Sequence, residues 1–151
     1  MPQTPVIYVG VFLSWKSRRK LLQQIPPGHA RVVAHHITLG FKPKPEEIAV
    51  FPIGKKVRFE VLGFVADENA KAVVVRPKDT DDWKVLYSKN RIPHITLSLA
   101  DGISPVYSNN LLGRDFVTRG ILLEEPFFLQ GRYGIFQDGK VRGFPCWKNW
   151  F

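Results

Sequence analysis

The chain has 151 residues, 44% hydrophobic and 23% charged, a balance that suits a domain with a real core and excludes intrinsic disorder as the ground state. Lys and Arg number 22 against 13 Asp and Glu, a net charge of +9, which favours polyanionic partners such as RNA and nucleotides. A lone cysteine, Cys146, excludes an internal disulfide framework and a cysteine-based zinc site, and no apolar run reaches the ~20 residues that span a bilayer.

The first residues, Met1-Pro2-Gln3-Thr4-Pro5, lack the basic and apolar parts of a secretory signal, so a cytoplasmic monomer with no membrane attachment is the expectation. Val6–Leu13 alternates and is rich in β-branched and aromatic types, which predicts a strand. Ser14 sits at the N-cap position of a helix over Trp15–Gln24, and Pro26-Pro27-Gly28 stops it. A second strand is predicted over Arg31–Phe41, ended by Lys42-Pro43-Lys44-Pro45. Lys56–Ala66 and Ala70–Arg76 form a predicted hairpin around Asp67-Glu68-Asn69. Thr80 is placed to cap a short helical turn through Asp81-Asp82. Arg91–Leu99 reads as a strand turned by Asp101-Gly102, and Ser104-Pro105 opens a short helix through Leu112. Phe116–Leu123, Phe127–Phe136 and Lys140–Phe144 are strand-like pieces punctuated by glycines. Strands dominate over a few short helices, an α+β pattern. No proline- or serine-rich linker divides the chain, and residues 1–151 are expected to form a single domain.

One segment repeats. His36-Ile37-Thr38-Leu39 returns as His94-Ile95-Thr96-Leu97, 58 residues later (94 − 36). Both copies fall in predicted strands, where successive side chains face opposite ways. Each strand therefore buries Ile and Leu on one side and presents an imidazole beside a hydroxyl on the other. If the two strands lie side by side, two histidines and two threonines share one cleft. A neutral imidazole can take a proton from a nucleophile while a protonated one gives a proton to a leaving oxygen. The hydroxyls of Thr38 and Thr96 can donate to phosphoryl oxygens as charge develops on them. The four groups suit phosphodiester cleavage and call for no metal and no cofactor.

With its two histidine-x-threonine-x segments, the chain resembles the two-histidine (2H) phosphoesterase superfamily. The resemblance implies a bilobal α+β fold, two antiparallel sheets with pseudo-twofold symmetry flanking a central cleft. It implies catalytic roles for His36, Thr38, His94 and Thr96. The implied activity is hydrolysis of a nucleotide-type phosphodiester, first of all the 2′,3′-cyclic phosphate ends of RNA. Cleavage of 2′–5′ oligoadenylates or cyclic nucleotide signals is the alternative. The helical complement after the first strand is thinner than in many members.

Tyr107, Ser108 and Asn109 directly follow the second motif strand and are placed to line its cleft. Tyr8 and Phe41 offer rings for stacking a nucleobase. Arg31, Lys42 and Arg91 lie on or beside the motif strands as candidates to draw in a phosphate, although alternation sends Arg91, three residues before His94, to the face away from that histidine. His35 adjoins His36, but alternation sends it to the opposite face as a packed residue, and His29 follows Pro-Pro-Gly in an exposed loop. The aromatic end, residues 144–151, is expected to dock back on the body. The rival from another class is a non-catalytic RNA- or nucleotide-binding module, which would keep its affinity without either histidine; a structural protein would not bring the histidines together at all.

Overall fold

Alternation of apolar and polar residues builds most of this molecule into antiparallel strands. The computed structural model describes residues 4–84, 91–115 and 120–143. In chain order the elements are β1 (Tyr8–Leu13), α1 (Trp15–Gln24), β2 (Arg31–Val32), β3 (His36–Phe41), α2 (Pro45–Ile48), β4 (Lys56–Ala66) and β5 (Ala70–Pro77). They continue with β6 (His94–Leu99), α3 (Tyr107–Asn110), a π-helical turn at Leu111–Asp115, β7 (Ile121–Gln137) and β8 (Lys140–Arg142).

The strands pair in the order β1-β3-β6-β5-β4-β7, and β7 returns to β1, so the sheet closes into a barrel-like ring. Two short strands decorate it: β2 pairs with β6, and β8 with β7. Closure rests on the length of β7. Its first part pairs with β4, while Gly131 to Phe136 pair with Leu13 to Tyr8 of β1. A closed ring leaves few free strand edges, which removes the usual site of edge-to-edge aggregation. The described strands form one continuous sheet in place of the two separate sheets expected, joined between β3 and β6 and again where β7 links β4 to β1.

Inward-facing side chains fill the ring. Val9, Val11 and Leu13 of β1, Ile37 and Leu39 of β3, Phe59 and Val61 of β4, Val73 and Val75 of β5, and Ile95 and Leu97 of β6 form one cluster. Leu21 and Ile25 cap it from α1, and Trp83 is buried within it. Ser14 caps α1 as expected, its hydroxyl accepting the Ser17 amide at 3.1 Å, and Ser17 Oγ accepts the Gln130 amide at 2.9 Å. That bond ties α1 to β7. Gly10 has a packing reason: a Cβ there would stand 2.4 Å from the Ile37 carbonyl oxygen, beside the point where β3 bulges at Leu39 against β1.

Three strand predictions change in instructive ways. Arg31–Phe41 is broken in two at Ala34, whose φ of 52° lies in the left-handed region. Arg91–Leu99 begins only at His94, since Pro93 cannot donate to a ladder. Two pieces expected on either side of Pro126 are one strand instead, the proline falling where the β4–β7 register shifts between Val61 and Gly63. The helix expected from Ser104 to Leu112 is α3 followed by the π-helical turn. Thr80 Oγ1 accepts the Asp82 amide at 3.1 Å. Residues 116–119 of a predicted strand and the aromatic end at 144–151 lie outside the described residues. Among the described residues no helix is long and apolar enough to cross a membrane.

Candidate active site

β3 and β6 meet through a single residue pair, Ile37 opposite Ile95. Stepping one residue either way along antiparallel strands sets His36 against Thr96 and Thr38 against His94. Both isoleucines are fully buried in the core, so the four motif side chains stand together on the face turned away from it. Imidazole and hydroxyl alternate around this square. Leu111 and Leu112 pack with Val74 and Leu99 on one side, and Phe12, Tyr8, Phe136 and Val141 pack together on the other.

His36 is held from two directions. The Tyr8 ring stacks on it, with centroids 4.8 Å apart and planes 21° apart, and Phe136 stacks on the far side of Tyr8 at 5.1 Å. At its edge, His36 Nδ1 lies 2.9 Å from His35 Nδ1. His35 therefore does not face the opposite side. Alternation holds only within a strand, and β3 starts at His36; the left-handed turn at Ala34 swings His35 round to meet its neighbour. Burial, with the charges that His35 and His94 can carry, pushes the His36 imidazole down to about 3.

His94 is held by a backbone carbonyl. Its Nδ1 lies 2.8 Å from the Ile92 oxygen. A carbonyl only accepts, so Nδ1 carries the proton and Nε2 is left to face the site. Burial lowers the His94 pKa, the bond to Ile92 opposes that shift, and the nearby Arg91 charge adds to it. Thr96 Oγ1 lies 2.9 Å from the Ser108 hydroxyl, while Thr38 sits opposite Gly10 of β1.

The structure sorts the other candidates. Tyr8 is in the site, against His36. Ser108 is fully buried and touches Thr96, so it backs a motif hydroxyl from beneath. Asn109 is exposed beside the second motif and lines a 160 Å³ pocket with Arg91, Ile92, Leu112 and Gly113. Tyr107 points elsewhere: its hydroxyl donates to the Asp67 carboxylate, which pushes its pKa up. Asp67 belongs to the β4–β5 turn, next to the Leu99 end of β6. That end is five residues from His94, about 16 Å along a strand. Phe41 is 58% exposed and lies opposite Tyr8, because the register shift past Leu39 breaks the alternation along β3; it stands on the Tyr8 face at the other end of β3 from His36. Lys42 rests over the Phe41 ring, and Arg31 donates to the Ile103 carbonyl at the far end of β6. Arg91 is the basic residue of the three that adjoins the motifs. His29 is no plain loop residue: Nε2 donates to the Asp67 carbonyl at 2.8 Å, leaving Nδ1 to accept from the Ser98 hydroxyl at 2.9 Å.

Among the described residues no group of three or more His, Cys, Asp or Glu gathers as a metal site. Two histidine-x-threonine segments on neighbouring strands, with the histidines presented to one face, are the arrangement of the two-histidine phosphoesterases. A family model of the fungal tRNA ligase phosphodiesterase domain matches residues 28–125, more than half of the chain and both motifs, and the chain belongs to that family. The fold is similar to a solved structure described as a fungal RNA kinase, with a TM-score of 0.60 at 13% sequence identity. The match covers 89% of this chain and 46% of that one, so the chain spans about half the length of that protein. No curated protein matches the chain by sequence.

Proposed function

We propose that the protein is a metal-independent phosphodiesterase that opens 2′,3′-cyclic phosphate ends of RNA, with His36 as general base and His94 as general acid. One observation carries it: each imidazole has its Nδ1 engaged, by His35 or by the Ile92 carbonyl, which leaves the two Nε2 atoms for the substrate. The His36 pKa, pushed down to about 3 mainly by burial, suits the group that must be neutral. The carbonyl bond of His94 favours the charged form and suits the proton donor. His36 Nε2 takes a proton from water as the water oxygen bonds to phosphorus. The bond from phosphorus to one ribose oxygen breaks, and that oxygen receives the proton of His94 Nε2, giving a phosphomonoester and a hydroxyl. Thr38 and Thr96 donate to the non-bridging oxygens. Ser108, by donating to Thr96, frees the Thr96 proton for that task.

RNA as the substrate class is supported by the family match, and by the +9 charge, which favours a polyanion. The pocket lined by Arg91 and Asn109 is the natural seat for the adjoining nucleoside, and Tyr8 stiffens the wall behind His36. The test is a substrate panel in EDTA: an RNA oligomer ending in a 2′,3′-cyclic phosphate, a 2′–5′ oligoadenylate and a cyclic dinucleotide. The first is expected to turn over fastest. Preference for either of the others moves the assignment to that linkage, and turnover that appears only on adding a divalent cation excludes the two-histidine mechanism.

The pH profile is a second expected outcome. In the free enzyme both histidines lie below the ordinary imidazole value of 6.5. The base must be deprotonated and the acid protonated, so kcat/KM rises with pH through the His36 pKa and falls as His94 loses its proton. Its maximum is expected on the acid side of 6.5. A bound phosphate anion raises both values, which shifts the kcat optimum to higher pH than that of kcat/KM. A kcat/KM maximum in the alkaline range contradicts the assignment.

A further inference from the structure

His35 is a titratable side chain that carries no proton in the mechanism above, yet the backbone is bent out of its strand to place it against His36. Ala34 holds a left-handed φ of 52° while fully buried, a conformation disfavoured for any residue with a Cβ. Such strain, observed next to a site, raises the question of what it positions. Its surroundings over-determine it: the Ala34 amide bonds the Thr96 carbonyl at 2.9 Å, and the Leu13 amide bonds the His35 carbonyl at 3.0 Å. The chain thus leaves its pairing with β6, turns at Ala34 and joins β1 and β3 with His35 at the corner.

The geometry at that corner is that of a hydrogen bond in the ring plane. The two Nδ1 atoms are 2.9 Å apart, whereas the ring centroids are 5.1 Å apart with planes 24° apart. A centroid separation larger than the nitrogen separation by about a ring's width means the rings meet edge to edge. One nitrogen must donate and the other accept, so this contact selects a tautomer for both imidazoles. A catalytic base needs its lone pair on Nε2, which requires its proton on Nδ1.

We propose that His35 is a positioning residue: its Nδ1 accepts the Nδ1–H of His36, which fixes the ring and holds the His36 lone pair on Nε2, facing the phosphate. This rests on the assignment of His36 as base. His35 must itself be neutral to accept, and it is surrounded accordingly: its pKa is lowered by burial and by the neighbouring Arg18 charge. Arg18 is anchored there by its bond to the Val33 carbonyl at 3.2 Å. The two ends of the site are then built alike in effect, with His94 locked as the Nδ1–H tautomer by a carbonyl and His36 locked as the same tautomer by an imidazole nitrogen.

The experiment combines imidazole NMR with two substitutions. In long-range proton–nitrogen correlation spectra of the wild-type protein, at a pH where His36 is neutral, His36 is expected to be protonated on Nδ1. In His35→Phe, which keeps a ring but loses the acceptor, the Nε2–H form is expected to emerge. With it, kcat on the cyclic-phosphate RNA should fall by about 10- to 100-fold, the range for removing the partner that orients a metal-bound imidazole and fixes its tautomer, while KM changes little. His35→Asn places an amide oxygen near the lost Nδ1 and is expected to recover most of that rate. An Nε2-protonated His36 in the wild type overturns the proposal, as does a folded His35→Phe with unchanged kcat. If His35→Phe does not fold, the wild-type tautomer decides alone. Failure of the base assignment shows separately, as undiminished turnover in His36→Ala.

Discussion

Replacing His36 or His94 by alanine is expected to slow turnover by on the order of 10²- to 10⁴-fold, the range for losing a positioned proton-transfer group. Replacing both is expected to cost far less than the product of the single losses, because a base without its acid, or an acid without its base, no longer completes the proton relay. Folding should survive each change, since neither side chain belongs to the apolar core inside the ring. His36→Ala removes one of the rings stacked on Tyr8, at 4.8 Å, and the partner of His35 Nδ1, so some destabilisation accompanies it. His94→Ala frees the Ile92 carbonyl. Single-turnover kinetics at saturating substrate separates the chemical loss from a binding loss. Equal turnover in the wild type and both folded variants would leave only the binding-module alternative.

Trp83→Ala is expected to destabilise the protein by about 3–5 kcal/mol, the usual range for emptying a fully buried Trp site. Trp83 is fully buried. Its ring lies 6.1 Å from that of Phe59, and its Nε1–H donates to the Tyr133 hydroxyl at 3.0 Å. Tyr133 in turn lies in β7, whose pairing with both β4 and β1 closes the ring. The cavity thus opens against the strand on which closure depends. Trp83→Phe keeps much of the apolar volume and is expected to cost less, with about 1 kcal/mol of it from the lost hydrogen bond. Urea unfolding measures both. A loss under 1 kcal/mol for Trp83→Ala would show that Trp83 does not organise the core.

The two motif strands were legible in the sequence because each signal was local. Period-2 alternation put Ile37 and Ile95 inside and the histidines and threonines outside, and the repeated tetrapeptide tied the two together. The same alternation failed for His35, whose position depends on a left-handed turn at Ala34 that nothing in alanine announces. Ring closure was not legible either. It depends on Pro126 being accommodated at a register shift, and on one strand changing partners halfway, both of which are tertiary matters. Tyr107, Ser108 and Asn109 were singled out for following the second motif, but a helical turn sends neighbours in different directions. Consequently Tyr107 reaches Asp67, Ser108 is buried on Thr96, and only Asn109 lines the pocket beside His94. Phe41 illustrates what a bulge does to parity: simple alternation sends it to the Ile37 face, while the register shift past Leu39 sets it opposite Tyr8.

Phosphorus NMR of an RNA oligomer ending in a 2′,3′-cyclic phosphate, incubated with the wild-type protein in excess EDTA, tests the central claim most directly. The account predicts that the cyclic-phosphate resonance is replaced by that of a phosphomonoester at catalytic protein concentrations, and that the His36→Ala/His94→Ala double variant leaves it unchanged over the same period. A cyclic phosphate that persists with the folded wild-type protein, or that disappears equally fast with the double variant, would contradict it.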